Sequence, residues 1–577
     1  MKLLLKQYLS SLNERDELDV VLPDVLSEIG FNVISRPKRG TTQYGVDVVA
    51  IGPHPTTGQK ALFLLSIKSG DLTRDEWATG KQALRPSLEE ILEVYIPKHR
   101  PARHKDLPII IALCFGGDIQ EDVRLRVQGF IEKNTIAGQV EFEEWNGDRI
   151  AEMMVSGLLR ENIFPKEMQN SFRKAVAFVD EPAVCVTHFN ELLRQIFATP
   201  PKNHAVRVRL ARQIYLATWT IFVWCRDAGN LEAAYKVCAL SVLWTWDLCH
   251  DHIGPSAKGK ELAEVVDKTI GLSRGIAALF IQTHVEPYSQ AIDGLGMSVP
   301  SSASIDINLK LFEVLGRVSI HGLWLVWLRG VVEDVDGATQ VEQEIQKVLS
   351  LIVSIIDKNK TLEAPVRDDH AIEIALASLF LLRCGAADYL AAWLRNVMRL
   401  SIFSYRTRGA YPCFLRDYGE LAAHPRQADG YREEVTAGSV LYPTLALLMS
   451  IFDDTDGFQE LEEFRSKSMI HSTWQFWIPD DTTEKHLYRN TAIHGSAITH
   501  VNTAAGPEKL IEQVNSEIVA AVDFGSLSAI THGAWPLVLI ACHTYRLPIP
   551  IHFWTAGSET NQEEMVPSGN SALQDIG

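Results

Sequence analysis

Two apolar runs joined by a short turn, "GVDVVAIGPHPTTGQKALFLLSIKSGD" over residues 45–71, constrain this chain more than any other stretch. "GVDVVAIG" and "KALFLLSIK" read as two strands, and the Gly/Pro/Thr segment between them as the turn of a hairpin. The charged residues sit at the ends: Asp47 opens the first run and Lys68 closes the second. Lysine is an odd residue to end a buried strand unless something nearby needs a positive charge. Strand side chains alternate between faces, so Ser66 and Lys68 point the same way and Ile67 the other.

The surrounding residues alternate element types. Residues 16–29, "DELDVVLPDVLSEI", have apolar positions at helical spacing and predict a helix ending at Gly30. "FNVIS" predicts a strand before the hairpin, and a long helix is expected from about Asp75 to Tyr95. "LPIIIALCF" predicts a fully buried strand, "DIQEDVRLRVQGFIEKN" a helix capped by Asp118, "QVEFEEW" an edge strand and "NGDRIAEMMVSGLL" a last helix. The order α-β-β-β-α-β-α-β-α predicts an α/β domain over residues 1–165, with a mixed sheet and helices on both faces.

Beyond Pro165 the pattern is almost wholly helical to about residue 460, which predicts a large helical domain over 166–460. The rhythm of "GNLEAAYKVCAL" resembles helical-hairpin repeats of the tetratricopeptide type, though no clean 34-residue period runs through it. Residues 461–555 mix helices with short strands ("TWQFWIP", "PIPIHFW"), and 556–577 read as a disordered tail.

A chain of 577 residues calls for two to four domains. Its eight cysteines form no CxxC pair, which indicates neither a zinc module nor a disulfide framework. No signal peptide or apolar run of membrane-spanning length is evident, and "IYLATWTIFVWC" (214–225) reads as a buried helix; a reduced, cytoplasmic protein with no membrane partner is expected. The net charge of −17 argues against a protein that coats nucleic acid generally. Residues 1–165 are nearly balanced, with 20 Lys+Arg against 24 Asp+Glu. Their bases cluster in "SRPKRG" (Arg36, Lys38, Arg39) and "PKHRPARHK" (Lys98, Arg100, Arg103, Lys105), where a phosphate-backbone contact is expected.

An acid at the start of one strand, and a lysine on the facing strand, are parts of a metal-assisted phosphodiester-cleaving site. Such a site needs hard oxygen ligands for a divalent cation, a water to deprotonate and a positive charge for the phosphorane. Here the sequence resembles the PD-(D/E)xK nuclease superfamily, in particular its Mrr-like restriction-endonuclease branch. The resemblance covers residues 14–165: an acid eleven residues before "GF" (Asp19 before Gly30–Phe31), the "GVDVVA" strand, the "SIKSGDL" segment, and then "PIIIALCFGGDI" and "VEFEEWNGDRIAEMM". It implies a restriction-endonuclease-like fold and cleavage of double-stranded DNA with Mg²⁺ or Mn²⁺. Asp47 would be the main metal ligand and the Ile67 carbonyl a second. Lys68 would position or activate the water, and Asp19 would assist.

The departure is Ser66, where the family carries Glu or Gln. Some members with Ser at this position take an acid from the next helix, about fourteen residues beyond the lysine; here that residue is Gln82, with Glu76 as the alternative. Two readings stay open: a relocated ligand at Gln82, or a degenerate nuclease fold that binds nucleic acid or a partner protein. Proteins of this layout often serve bacterial anti-phage defence beside an ATPase or sensor subunit. The helical region would then sense a trigger or hold a homo-oligomer.

Three further clusters stand out. "CHDH" (249–252) reads as a helix-capping turn, "RTRGAYPCFLRDYG" (406–419) as an interhelical charge network or an anion grip, and "HLYRNTAIHGSAITH" (486–500) as a loop or ligand surface. GxxxxGK[ST], GxSxG and HExxH are absent, which removes P-loop, serine-hydrolase and metalloprotease readings.

Overall fold

The structure, a computed structural model, describes residues 6, 9, 10, 12, 14, 18–35, 44–79, 83–100, 102–157, 166–332 and 334–554. The chain divides into two compact units, 1–237 and 238–577. The division between units falls at 237/238, and the helices on either side of residue 165, Gly147–Gly157 and Lys166–Ala177, both belong to the first unit. The predicted tail, 556–577, lies outside the described residues.

The first unit is built on a five-stranded mixed sheet. Helix α1 (Asp19–Glu28) leads through Gly30, whose φ of +93° suits glycine, into β1 (Asn32–Ser35). Strands β2 (Val48–Pro53) and β3 (Lys60–Lys68) pair antiparallel, Val48 facing Leu65 and Pro53 facing Lys60. Their turn is tied by His54, whose Nδ1 accepts the N–H groups of Thr56 and Thr57. On its other side β3 pairs parallel with β4 (Ile109–Phe115), and β4 pairs parallel with β5 (Val140–Trp145), so the spatial order is β1-β2-β3-β4-β5. As a central strand between an antiparallel and a parallel neighbour, β3 is buried at every position but its first, which is why its sequence shows no alternation.

One face of the sheet, with Leu62, Leu64, Ile109, Ile111 and Leu113, packs on Leu84, Leu88 and Ile91 and on Val123 and Val127. These come from α2 (Leu84–Glu90) with its wider continuation Ile91–His99, and from α3 (Glu121–Asn134). On the opposite face the Phe63 ring lies 5.0 Å from Phe31 and 5.7 Å from Trp145, next to α1 and α4 (Gly147–Gly157), which pack together. Each such buried apolar side chain stabilises by about 1.5–3 kcal/mol.

Two expectations need correction here. The helix predicted over 75–95 is broken: a single wide turn spans Asp75–Thr79, and a new helix starts at Leu84. Pro86 is the cause, because it lacks an N–H and clashes inside a helix but fits the first turn. Asp118 does not cap α3, which begins at Glu121 behind Gln120. Its N–H donates to Asp71 (2.8 Å) and its carboxylate pairs with Lys6 (2.9 Å).

Helices α5 (Lys166–Ala177), α6 (Pro182–Ile196) and α7 (His204–Asp227) complete this unit, and α8 (Leu231–Cys249) runs across the division. The second unit is mainly helical, with α9 (Ala257–His284), α10 (Ser304–Arg329) and α11 (Val335–Lys358) among its longest elements. Among the described residues α10 is the one helix long and apolar enough to cross a membrane, and 78% of its apolar window is buried inside the protein. Phe476–Ile478 pairs antiparallel with Ser496–Ile498, as a short strand in "TWQFWIP" predicts. "PIPIHFW" forms no strand: its prolines give no ladder donors, and Ile551–Trp554 closes a tight turn instead.

Candidate active site

The site lies where β2 begins and β3 ends. The Asp47 N–H donates to the Leu65 carbonyl (2.8 Å), although the ladder pairs Val48 with Leu65, so Asp47 steps out of register. Its side chain then does what a main-chain acceptor would do: Oδ2 takes the Ile67 N–H at 2.7 Å. Gly45 makes this turn possible. Its φ is +78°, and a Cβ there would stand 2.1 Å from the Ser87 carbonyl oxygen.

Ser66 and Lys68 are 1% and 6% exposed, on the β3 face that carries Leu62 and Leu64. A buried ammonium needs a counter-charge. Glu14 supplies it, both carboxylate oxygens accepting from Lys68 Nζ at 3.1 Å. Glu76, on the wide turn after β3, is the third member. One of its carboxylate oxygens, Oε2, is buried without a hydrogen-bond partner. Burial raises the proton affinity of Glu76, the Lys68 charge lowers it, and the Glu14 charge raises it again. Asp47 projects its charge further: with burial, it pushes the Cys114 thiol on β4 well above the usual range.

The residues after Lys68 are structural. Gly70 has a φ of +56° and accepts the Gly117 N–H (2.8 Å), and Asp71 holds the Asp118 N–H. "SIKSGDL" thus locks the exits of β3 and β4 together.

The sequence-predicted residues divide clearly. Asp47 is bonded to the Ile67 N–H, and Glu76 lies within electrostatic reach of Lys68, which shares its strand face with Ser66. Asp19 stands half-buried in the first turn of α1, and the acid brought to Lys68 is Glu14 instead. Glu14 was missed because it precedes the helix predicted over 16–29, although it lies in a wide helical turn itself; its signal is the unpaired demand of the strand-end lysine. Gln82, Arg36, Lys38 and Arg39 lie outside the described residues. Lys98, Arg103 and Lys105 are exposed. Lys98 lies at the end of the helical stretch Ile91–His99 and the other two follow it in the segment that enters β4 at Ile109, which faces Leu62, whereas Lys68 faces Phe115. They therefore sit at the far end of the strands from Lys68, roughly 20 Å away at 3.3 Å per residue. Arg100 is occupied: its guanidinium donates to the carbonyls of His104 (2.8 Å) and Leu107.

Of the other clusters, "CHDH" is a short turn in which His250 meets Asp251 (3.3 Å) and Glu484 (3.6 Å). In "RTRGAYPCFLRDYG" the arginines diverge, Arg406 lying over Phe464 and Arg408 donating to Gln427.

Among the described residues no three His, Cys, Asp or Glu side chains stand together as a metal cage. Magnesium makes a smaller demand, since one or two carboxylates suffice when substrate phosphates and water fill the shell. The Asp47 carboxylate and the partnerless Glu76 oxygen meet that demand as donor types. No family model, curated protein or solved structure matches this chain.

Proposed function

We propose that the first unit is a restriction-endonuclease-like domain that cuts double-stranded DNA with Mg²⁺ or Mn²⁺. On this reading the helical remainder senses a trigger or mediates assembly in bacterial anti-phage defence, beside an ATPase or sensor subunit or further copies of this chain. The observation that carries the reading is that Glu14 and Glu76 gather about Lys68 at the end of β3, while Asp47 is bonded to the N–H of the adjacent Ile67. Asp47, the Ile67 carbonyl and Glu76 would hold the ion, with Glu76 supplying the carboxylate that Ser66 lacks. The ion would neutralise phosphate charge and acidify a bound water. Lys68 offers its ammonium to the charge that develops on phosphorus, and Glu14 fixes where that ammonium points.

Incubating the full chain with plasmid and Mg²⁺ or Mn²⁺, beside Asp47→Ala, Lys68→Ala, Glu76→Ala and Gln82→Ala, tests this. Cutting by the wild type that is lost in the first three variants supports it; survival in Glu76→Ala with loss in Gln82→Ala moves the ligand to Gln82. A second reading, a degenerate nuclease fold that binds nucleic acid or protein, is favoured by one observation: both oxygens of Glu14 already engage Lys68. A wild type that binds duplex DNA without cutting it under any metal would establish that reading.

A further inference from the structure

Lys6 stands between two carboxylates rooted in different elements. Its Nζ lies 2.9 Å from Asp118 Oδ2, shortly beyond the end of β4, and 2.6 Å from Asp148 Oδ2, in the first turn of α4. Lys6, Leu9 and Ser10 are helical, and Glu14 lies in a wider helical turn where it meets Lys68. Leu9 and Leu12 are buried. At Gly116, the residue after β4, an added Cβ would stand 1.8 Å from the Leu9 carbonyl oxygen, so the two backbones touch. The described residues between 6 and 14 thus cross the exits of β4 and β3, from Asp118 to Lys68.

These contacts close a ring. Lys68 ends β3, and just after it Gly70 accepts the Gly117 N–H and Asp71 the Asp118 N–H, both at 2.8 Å. Asp118 holds Lys6, and the chain from Lys6 leads back to Glu14, which holds Lys68 through both oxygens. The Lys68 ammonium is therefore fixed from two sides, by its own strand and by an N-terminal segment of a kind that frays unless it is tied down. Lys6 ties the start of that segment, and Leu9 and Leu12 its middle. Lys6 and its two partners are all partly exposed, and ion pairs of this sort contribute little to global stability. What they supply is position, and a displacement of about 1 Å at a reacting group can cost about a hundredfold in rate.

We propose that Lys6 is a positioning residue of the nuclease site: it pins the segment that carries Glu14, and through Glu14 it sets where the Lys68 ammonium points. This role rests on the nuclease reading of the first unit. Lys6 acts on the reaction only through Glu14, which separates it from a base that merely attracts DNA.

The test is steady-state cutting of plasmid by the full chain under Mn²⁺, with Lys6→Ala, Lys6→Arg, Glu14→Gln and the Lys6→Ala/Glu14→Gln double variant. In Lys6→Ala kcat should fall about tenfold or more while KM stays within about twofold. Lys6→Arg, whose guanidinium can bridge the same two carboxylates, should recover most of that rate. In the Glu14→Gln background Lys6→Ala should lower kcat no further. Acetylation of Lys68 by acetic anhydride, read by mass spectrometry, should speed up in Lys6→Ala while its urea midpoint matches the wild type. A wild type that cuts while Lys6→Ala cuts equally fast overturns this role alone, and so does a further loss of kcat in the double variant. A rate that falls together with the urea midpoint and is not recovered by Lys6→Arg makes Lys6 structural and also overturns it. A wild type that cuts nothing removes the nuclease reading, and this role with it.

Discussion

Glu14 grips the Lys68 ammonium through both carboxylate oxygens at 3.1 Å, across 54 residues of chain. Lys68 is 8% exposed at its side chain and Glu14 26%, so the pair is largely shielded from solvent. Removing one partner strands the other. Glu14→Gln should lower stability by about 2–3 kcal/mol, read as a shift in the urea midpoint. Lys68→Met should cost less when combined with Glu14→Gln than when made alone, and a double-mutant cycle measures that coupling. Additive effects would show that the two residues are neighbours without being partners.

Asp47 has two roles that substitution separates. Its carboxylate accepts the Ile67 N–H, which is structural, and it is the proposed ion ligand. Asp47→Asn keeps an acceptor oxygen, whereas Asp47→Ala leaves a buried N–H unsatisfied. Asn should therefore stay within about 1 kcal/mol of the wild type and Ala should lose about 1–3 kcal/mol. Both should reduce metal-dependent cutting by about a hundredfold or more. A fully active Asp47→Asn would remove Asp47 from the chemistry.

Gly45 sets the position of Asp47 two residues later. Alanine there meets the Ser87 carbonyl and must hold a φ of +78°. Gly45→Ala should destabilise by about 2 kcal/mol or more and lose activity through displacement of Asp47, whereas Gly58→Ala, which meets nothing within 4 Å, should cost only its backbone strain. Thermal melts of the two variants give the comparison.

The strands of this site were legible because β3 and β4 are buried on both faces and so keep continuous apolar sequences; Asp47 and Lys68 were visible as charges where such runs end. The partner of Lys68 was not legible, because four acids crowd residues 14–19 and only folding selects Glu14 among them. The broken helix was missed because apolar periodicity outweighed Pro86. The basic loop was read as one surface, yet Arg100 turns inward and the remaining bases lie at the far end of β4 from Lys68.

That difference makes a prediction about Arg100. Its guanidinium ties the His104 and Leu107 carbonyls, so Arg100→Ala should lower stability by about 1–3 kcal/mol and leave the salt dependence of DNA binding unchanged. Replacing exposed Lys98, Arg103 and Lys105 together should leave stability within about 0.5 kcal/mol. If duplex DNA reaches that loop, the triple variant should also flatten the log–log salt slope by roughly 2–3 units. A slope changed by Arg100→Ala alone would contradict its structural role.

Asp267, on α9, gives the second unit a pH dependence of defined sign. Burial, with the Glu264 charge adding to it, pushes its carboxyl up to about 7, far above the roughly 3.9 of an unfolded chain. Below about pH 4 both states hold the proton. Between about pH 4 and 7 the unfolded chain releases it and the folded protein keeps it, so the unfolded state binds fewer protons and stability falls as pH rises. Above pH 7 the loss is complete, on the order of 4 kcal/mol at 1.36 kcal/mol per pH unit. Asp267→Asn cannot ionise, so its stability relative to the wild type should climb across that window and level off above it. Urea unfolding of both proteins at pH 5, 6, 7 and 8 gives the difference directly; a difference that does not vary with pH would mean that Asp267 ionises in the folded protein as it does in water.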